Sequence, residues 1–159
     1  MTSKLITTWS EHDSAVQEIL DLSPTTLLVF DDNLSPLKLE RPARIAALRR
    51  LLSARQPSTR LTIVVQKADF VRQYSPQLMD LLAVHSPALT IIQSPPHLAR
   101  PKDSLLIADG RHALVRFHQE QPRSRLIIDD SEECAPYQQR FDEILDEGGD
   151  PLSPMTLGL

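Results

Sequence analysis

Residues 102–118 place two apolar runs on either side of Asp109-Gly110. Glycine reaches positive φ at little cost, so this dipeptide closes a tight hairpin between adjacent strands. The preceding chain has a different rhythm. Thr25–Phe30, Arg60–Val65 and Leu89–Gln93 are β-branched or apolar runs without strict alternation, the pattern of strands buried on both faces. Helical periodicity separates them. Residues 43–55 carry Ile45, Leu48, Leu51 and Leu52 at helical spacing, and residues 68–84 carry Phe70, Tyr74, Leu78, Leu81 and Leu82. Pro76 must kink or divide the second helix, because it removes a donor and clashes with the preceding turn. Helix-separated strands that give way to consecutive strands after Gln93 predict a mixed sheet, with right-handed crossovers in its first half.

The remaining elements complete an α/β chain. Residues 10–22 place Val16, Ile19 and Leu20 on one helical face and end at Ser23-Pro24. Leu126–Ile128 is a further strand. Residues 135–147 form a last helix with Phe141, Ile144 and Leu145, stopped by Gly148-Gly149. The expected organisation is an N-terminal helical segment over 1–24, an α/β domain over 25–149, and a tail over 150–159 that docks or stays disordered.

A chain of 159 residues is long enough to bury a real core. Aromatics supply only 4% of it, so Leu, Ile, Val and Ala must fill the interior. The net charge of −4 argues against bulk attraction to nucleic acid or anionic lipid, although a local basic patch stays compatible with it. No apolar run approaches the roughly 18–20 residues that span a bilayer. The first ten residues lack a secretory pattern, so a cytoplasmic location is expected. The single cysteine, Cys134, allows no internal disulfide and is expected to be an inert packed thiol.

After Asp109, a period of two puts His112, Leu114, Arg116 and His118 on one strand face and Ala113, Val115 and Phe117 on the other. The apolar set is expected to face the core, leaving Arg116 and the histidines on a solvated face. Arginine's planar fork suits phosphate or carboxylate. The candidate anion-binding residues here are therefore Arg116, with His118 and Arg111 assisting, and Arg116 is expected to be dispensable for stability. His112 and His118 lie about 20 Å apart on an extended strand and cannot share an ion, so no metal is expected, and no cofactor. Glu11, His12 and Asp13 read as a surface cluster at a helix start. Asp31-Asp32-Asn33 reads as a turn in preference to a magnesium pair, which would need Asp-x-Asp. His97 reads as an exposed loop residue.

A resemblance adds to these readings. Ile107-Ala108-Asp109-Gly110-Arg111, Arg116-Phe117-His118 with Pro122-Arg123, residues 140–144 and the ending 153–159 carry it, together with the order of elements. They resemble a group of uncharacterised bacterial proteins built on one half of the phospholipase D-like fold, some fused to acetyltransferase domains. Active members of the broader family carry His-x-Lys-x-x-x-x-Asp. Setting that aspartate on Asp109 places the family's lysine at Ser104 and its nucleophile at Lys102. Its Gly-Ser pair falls on Arg116 and Phe117, and its asparagine on Gln119, so the resemblance adds Lys102 and Asp109 to the candidate anion-binding residues. An ammonium has no lone pair for attack, and Ser104 brings no positive charge to a phosphoryl transition state. The resemblance thus implies a non-catalytic regulatory, ligand-sensing or protein-interaction module. The alternative is a hydrolase or transferase acting on a phosphorylated or nucleotide substrate with altered residues. The partners implied are a second copy of the chain, since a lone half completes the family's twofold arrangement, and a protein or small anionic ligand, with no membrane.

Overall fold

The computed structural model describes residues 2–54, 56–97 and 102–154. Its strands are β1 (Thr2–Ile6), β2 (Thr26–Asp31), β3 (Arg60–Val65), β4 (Leu89–Gln93), β5 (Ser104–Ala108), β6 (His112–Arg116), β7 (Ser124–Ile128) and β8 (Asp150–Pro151). The helices are α1 (Trp9–Leu20), α2 (Pro42–Ser53), α3 (Asp69–Tyr74), α4 (Pro76–His85) and α5 (Ser131–Asp146). The strands form one mixed sheet in the order β1-β7-β6-β5-β2-β3-β4-β8. β2, β3 and β4 run parallel, joined by helices, whereas β5, β6 and β7 are antiparallel neighbours, as the change of rhythm after Gln93 predicts.

Local chemistry explains the main boundaries. At the β5–β6 turn Asp109 (φ 54°) and Gly110 (φ 68°) both occupy the left-handed region. The Arg111 N–H donates to the Ala108 carbonyl at 3.1 Å, closing the hairpin. α1 begins with a reciprocal cap: Glu11 N–H donates to Thr8 Oγ1 at 3.1 Å, and Thr8 N–H donates to Glu11 Oε1 at 3.2 Å. Pro76 divides rather than kinks its helix. α3 ends at Tyr74, α4 starts at Pro76, and the Glu40 carboxylate accepts from the Leu78 N–H at 2.9 Å.

Two elements were not legible as strands. β1 is a largely exposed edge strand whose Leu5 pairs with Arg125 of β7. β8 pairs with the end of β4, and the next residue, Leu152, is buried. The tail therefore docks as far as it is described, and residues 155–159 lie outside the described residues.

The sheet is covered on both sides. Leu106, Leu114 and Leu126 join the core under α1, α2 and α4, whereas Leu105, Ala113, Val115 and Ile127 pack with Cys134, Phe141 and Ile144 of α5. This overturns the expected solvated face of β6. Every residue of β6 is buried, Arg116 is only 1% exposed, and Phe117, expected in the core, is 41% exposed beyond the strand end. β6 is an interior strand between two helix layers, so alternation does not separate core from solvent there. Among the described residues, no helix is long and apolar enough to cross a membrane.

Candidate functional site

The strand directions gather a polar cluster at one end of the sheet, here called the upper end. β2 and β6 finish there, at Asp31 and Arg116, and β5 starts there, with Ser104 opposite Arg116. α1 also starts beside Arg116, whose guanidinium carbon lies 5.6 Å from the centre of the Trp9 ring.

Asp31 and Arg116 are the charged centre. Arg116 Nη2 donates to Asp31 Oδ1 at 2.7 Å, and each side chain is 1% exposed. Asp31 Oδ2 accepts from the backbone N–H of Leu34 at 2.8 Å and of Asn33 at 3.2 Å. The turn chemistry expected of Asp31-Asp32-Asn33 is present, and the same carboxylate also holds a cation. Arg116 Nη1 donates to the His118 carbonyl at 3.1 Å, and Nε has no hydrogen-bond partner among the described residues. Burial lowers the pKa of Arg116, opposed by the Asp31 carboxylate. Arg116 is thus no dispensable surface cation, as its sequence position had suggested: removing it would strand the Asp31 charge in the interior.

His12 is the second correction. It is 1% exposed and makes no part of a surface cluster. Burial depresses its pKa to about 4, assisted by the Arg116 charge and opposed by Asp31. The imidazole is therefore neutral near neutral pH. Its Nδ1 has no hydrogen-bond partner among the described residues, and its ring meets Trp9 edge-on at 5.5 Å. Periodicity carried the signal, because His12, Val16 and Ile19 recur on one helical face and all three are buried. Arg44 follows the same logic with Leu48 and Leu51 on α2. Arg44 donates to the carbonyl of Leu37 at 2.7 Å and to Asp13 Oδ1 at 3.0 Å. Arg41 takes the other Asp13 oxygen at 2.6 Å. Burial pushes the Asp13 pKa up, but the Arg44 and Arg41 bonds outweigh it and hold the carboxyl below its usual value.

Beside this cluster lies a cavity of about 260 Å³, lined by Trp9, His12, Asp13, Ser35, Pro36 and Lys38. The last three belong to a short 3₁₀ turn, Ser35–Leu37, and its flank, bracketed by Leu34 (φ 75°) and Lys38 (φ 50°) in the left-handed region.

The anion-binding set read from the sequence is divided by the fold. Lys102, Arg116 and His118 meet at the upper end, where the Gln119 N–H donates to the Lys102 carbonyl at 2.7 Å. Lys102 itself is exposed. Asp109 and Arg111 sit at the other end of the same hairpin. Asp109 Oδ1 accepts from the N–H groups of Thr25 at 2.9 Å and Thr26 at 3.0 Å, clamping the start of β2. Arg111 faces Asp129 at 3.6 Å across solvent. His112, also at that end, accepts at Nδ1 from the Asp129 N–H at 2.9 Å. His97 is exposed and stands 3.8 Å from Glu147. Cys134 is fully buried, and burial pushes its thiol up to about 11, which makes it a poor nucleophile. Among the described residues no three His, Cys, Asp or Glu side chains converge as a metal-ligating group.

Comparison with known proteins bears on the fold. No curated protein matches the sequence. Among solved structures, the chain superposes on an archaeal chromatin protein, TrmBL2, whose structure shows a novel mode of DNA binding, with a TM-score of 0.66 and 17% identity. That match covers 92% of this chain and 50% of the chromatin protein, so this chain spans about half its length. It also superposes on Nuc, a phospholipase D family member from Salmonella typhimurium, with a TM-score of 0.61 and 13% identity over 96% of this chain and 100% of that one. NucT from Helicobacter pylori gives 0.59 and 10% identity, covering 94% and 98% of the two chains. The fold is that of phospholipase D family members. A family model, a domain of unknown function called DUF7931, matches residues 8–150, from the N-cap of α1 to the first residue of β8, and the chain belongs to that family.

Proposed function

We propose that this chain is a non-catalytic phospholipase D-like module that recognises a small ligand at the upper end of its sheet. One observation carries the reading: the cation on the central hairpin there, Arg116, is buried and already paired with Asp31 at 2.7 Å. Ser104, where the sequence resemblance places the family's lysine, is buried, and Lys102, where it places the nucleophile, is an exposed ammonium. The nearby histidine, His12, is shielded from solvent. Among the described residues a nucleophile, a base and an orienting group are not assembled.

The reading excludes turnover of a chromogenic bis-phosphodiester at any pH from acid to alkaline. Turnover that vanishes in His97→Ala or His12→Gln would overturn it and favour the hydrolase alternative. The same module is proposed to pair with a second copy of itself, and sedimentation as a monomer at tens of micromolar would remove that part. Net charge argues against bulk nucleic-acid binding, but a fold shared with a DNA-binding chromatin protein does not support that exclusion. A duplex DNA titration at low salt tests it. Binding that weakens steeply with added salt would place this chain with the chromatin protein in ligand as well as in fold.

A further inference from the structure

We propose that the cavity beside the start of α1 binds a flat aromatic acid, a one- or two-ring compound carrying one carboxylate and a ring hydroxyl or N–H. The proposal rests on the ligand-recognition reading above and names the ligand class for it.

Size limits the occupant first. A volume of about 260 Å³ falls just below the roughly 300–1,000 Å³ of clefts that hold drug-sized molecules. A small ring system fits, and a polymer or dinucleotide does not.

The walls then set the chemistry. Trp9 lines the cavity, is 44% exposed, and has the Arg116 guanidinium over its ring at 5.6 Å. Arg116 occupies one face of the indole, so a ligand ring stacks on the other. Pro36 supplies a second apolar surface. His12 provides a polar point. Its residue is 1% exposed, it lines the cavity, and its Nδ1 is without a partner. Buried polar atoms are nearly always bonded, so an orphan beside a cavity marks where a ligand donor belongs. Nδ1 is shielded from solvent, so a donor reaches it only if the Trp9 ring, 5.5 Å from the imidazole, turns aside.

Charge fixes the remaining group. Asp13 is the acidic lining residue, and Arg41 and Arg44 already hold both of its oxygens. Lys38 is exposed, lines the cavity and makes no ion pair among the described residues. One ammonium suits one carboxylate, whereas a phosphate dianion would leave strong acceptors unmet.

The chain's single tryptophan is Trp9, so its emission reports on this cavity alone. The test titrates the full chain with 4-hydroxybenzoate and with three relatives, each lacking one feature. Saturable change in Trp9 emission is expected with 4-hydroxybenzoate. Benzoate, without the hydroxyl, and 4-hydroxybenzamide, without the charge, should bind about fivefold more weakly. Cyclohexanecarboxylate, without the aromatic ring, should bind about tenfold more weakly. Lys38→Gln, an exposed change that leaves the core intact, should erase the preference for 4-hydroxybenzoate over its amide. The absence of a saturable response at millimolar 4-hydroxybenzoate overturns the proposal, as does equal affinity for all four probes. Should a non-aromatic metabolite from a thermal-shift panel raise the melting temperature and alter Trp9 emission, the aromatic-acid proposal falls while ligand recognition stands. Should no compound do so and phosphodiesters be hydrolysed, both fall.

Discussion

The two ends of the β5–β6 hairpin carry the same kinds of residue in opposite circumstances. At the turn, Asp109 and Arg111 are exposed, Arg111 faces Asp129 at 3.6 Å, and the Asp109 carboxylate ties down the start of β2. At the open end Arg116 is sealed from solvent between Asp31 and Trp9. The difference lies in what covers each end. α1 begins against the open end, where Trp9 lies on Arg116, whereas the side chains of Asp109 and Arg111 reach solvent at the turn. An ion pair in solvent contributes little, because water already screens both charges. A buried pair has lost that hydration, so each partner depends on the other. The same residue types are therefore surface chemistry at one end and structure at the other, and the cavity lies at the end where they are structure.

The largest effect expected from this contrast follows Asp31→Asn. The variant keeps an acceptor for the Leu34 N–H but leaves Arg116 without its counter-charge, at a cost of about 3–5 kcal/mol in urea unfolding. A loss below about 1 kcal/mol would mean that water reaches the pair and that the two ends do not differ.

Next comes the acid sensitivity of the roofed end. His12 has a folded pKa of about 4, below its ordinary value near 6.5. Between these values the unfolded chain binds a proton that the folded chain refuses. This contribution is complete above about pH 6.5 and is lost as pH falls toward about 4. Relative to His12→Phe, the native chain should lose about 2 kcal/mol more on going from about pH 7 to about pH 5, measured by paired denaturant titrations. Parallel pH profiles for the two proteins would show that the imidazole is hydrated.

At the turn, Asp109→Ala removes a carboxylate that caps two backbone N–H groups from an exposed position. A loss of about 1 kcal/mol is expected, comparable to deleting a helix N-cap, because water takes over part of the bonding. The smallest change is Arg111→Ala, whose partner is solvated. Its effect should stay within about 0.5 kcal/mol and shrink further in salt. An Arg111 loss as large as that of Asp31→Asn would erase the comparison altogether.

The central strands, the break at Pro76 and the hairpin at Asp109-Gly110 were legible because each rests on local chemistry: unbroken β-branched runs, a missing donor and a glycine. β1 was not, since Thr2–Ile6 is a polar edge strand that takes its strand form from pairing with β7 and shows little periodicity of its own. His12 and Arg44 were half legible. Their helical spacing with Val16 and Leu48 points inward, but their polarity suggests the surface, and only the presence of Arg116, Asp31 and Asp13 reconciles the two.

By itself the sequence determined which segments extend and which coil, because backbone preference and apolar period act over a few residues. What it did not contain was the partner of Arg116. Asp31 lies on a strand far away in the chain and reaches the same end of the sheet only because β2 and β6 run in the same direction on either side of β5. Whether a charge is solvated or buried depends on such distant neighbours, and so the cavity and the placing of His12 and Lys38 along its wall were decided by the tertiary structure alone.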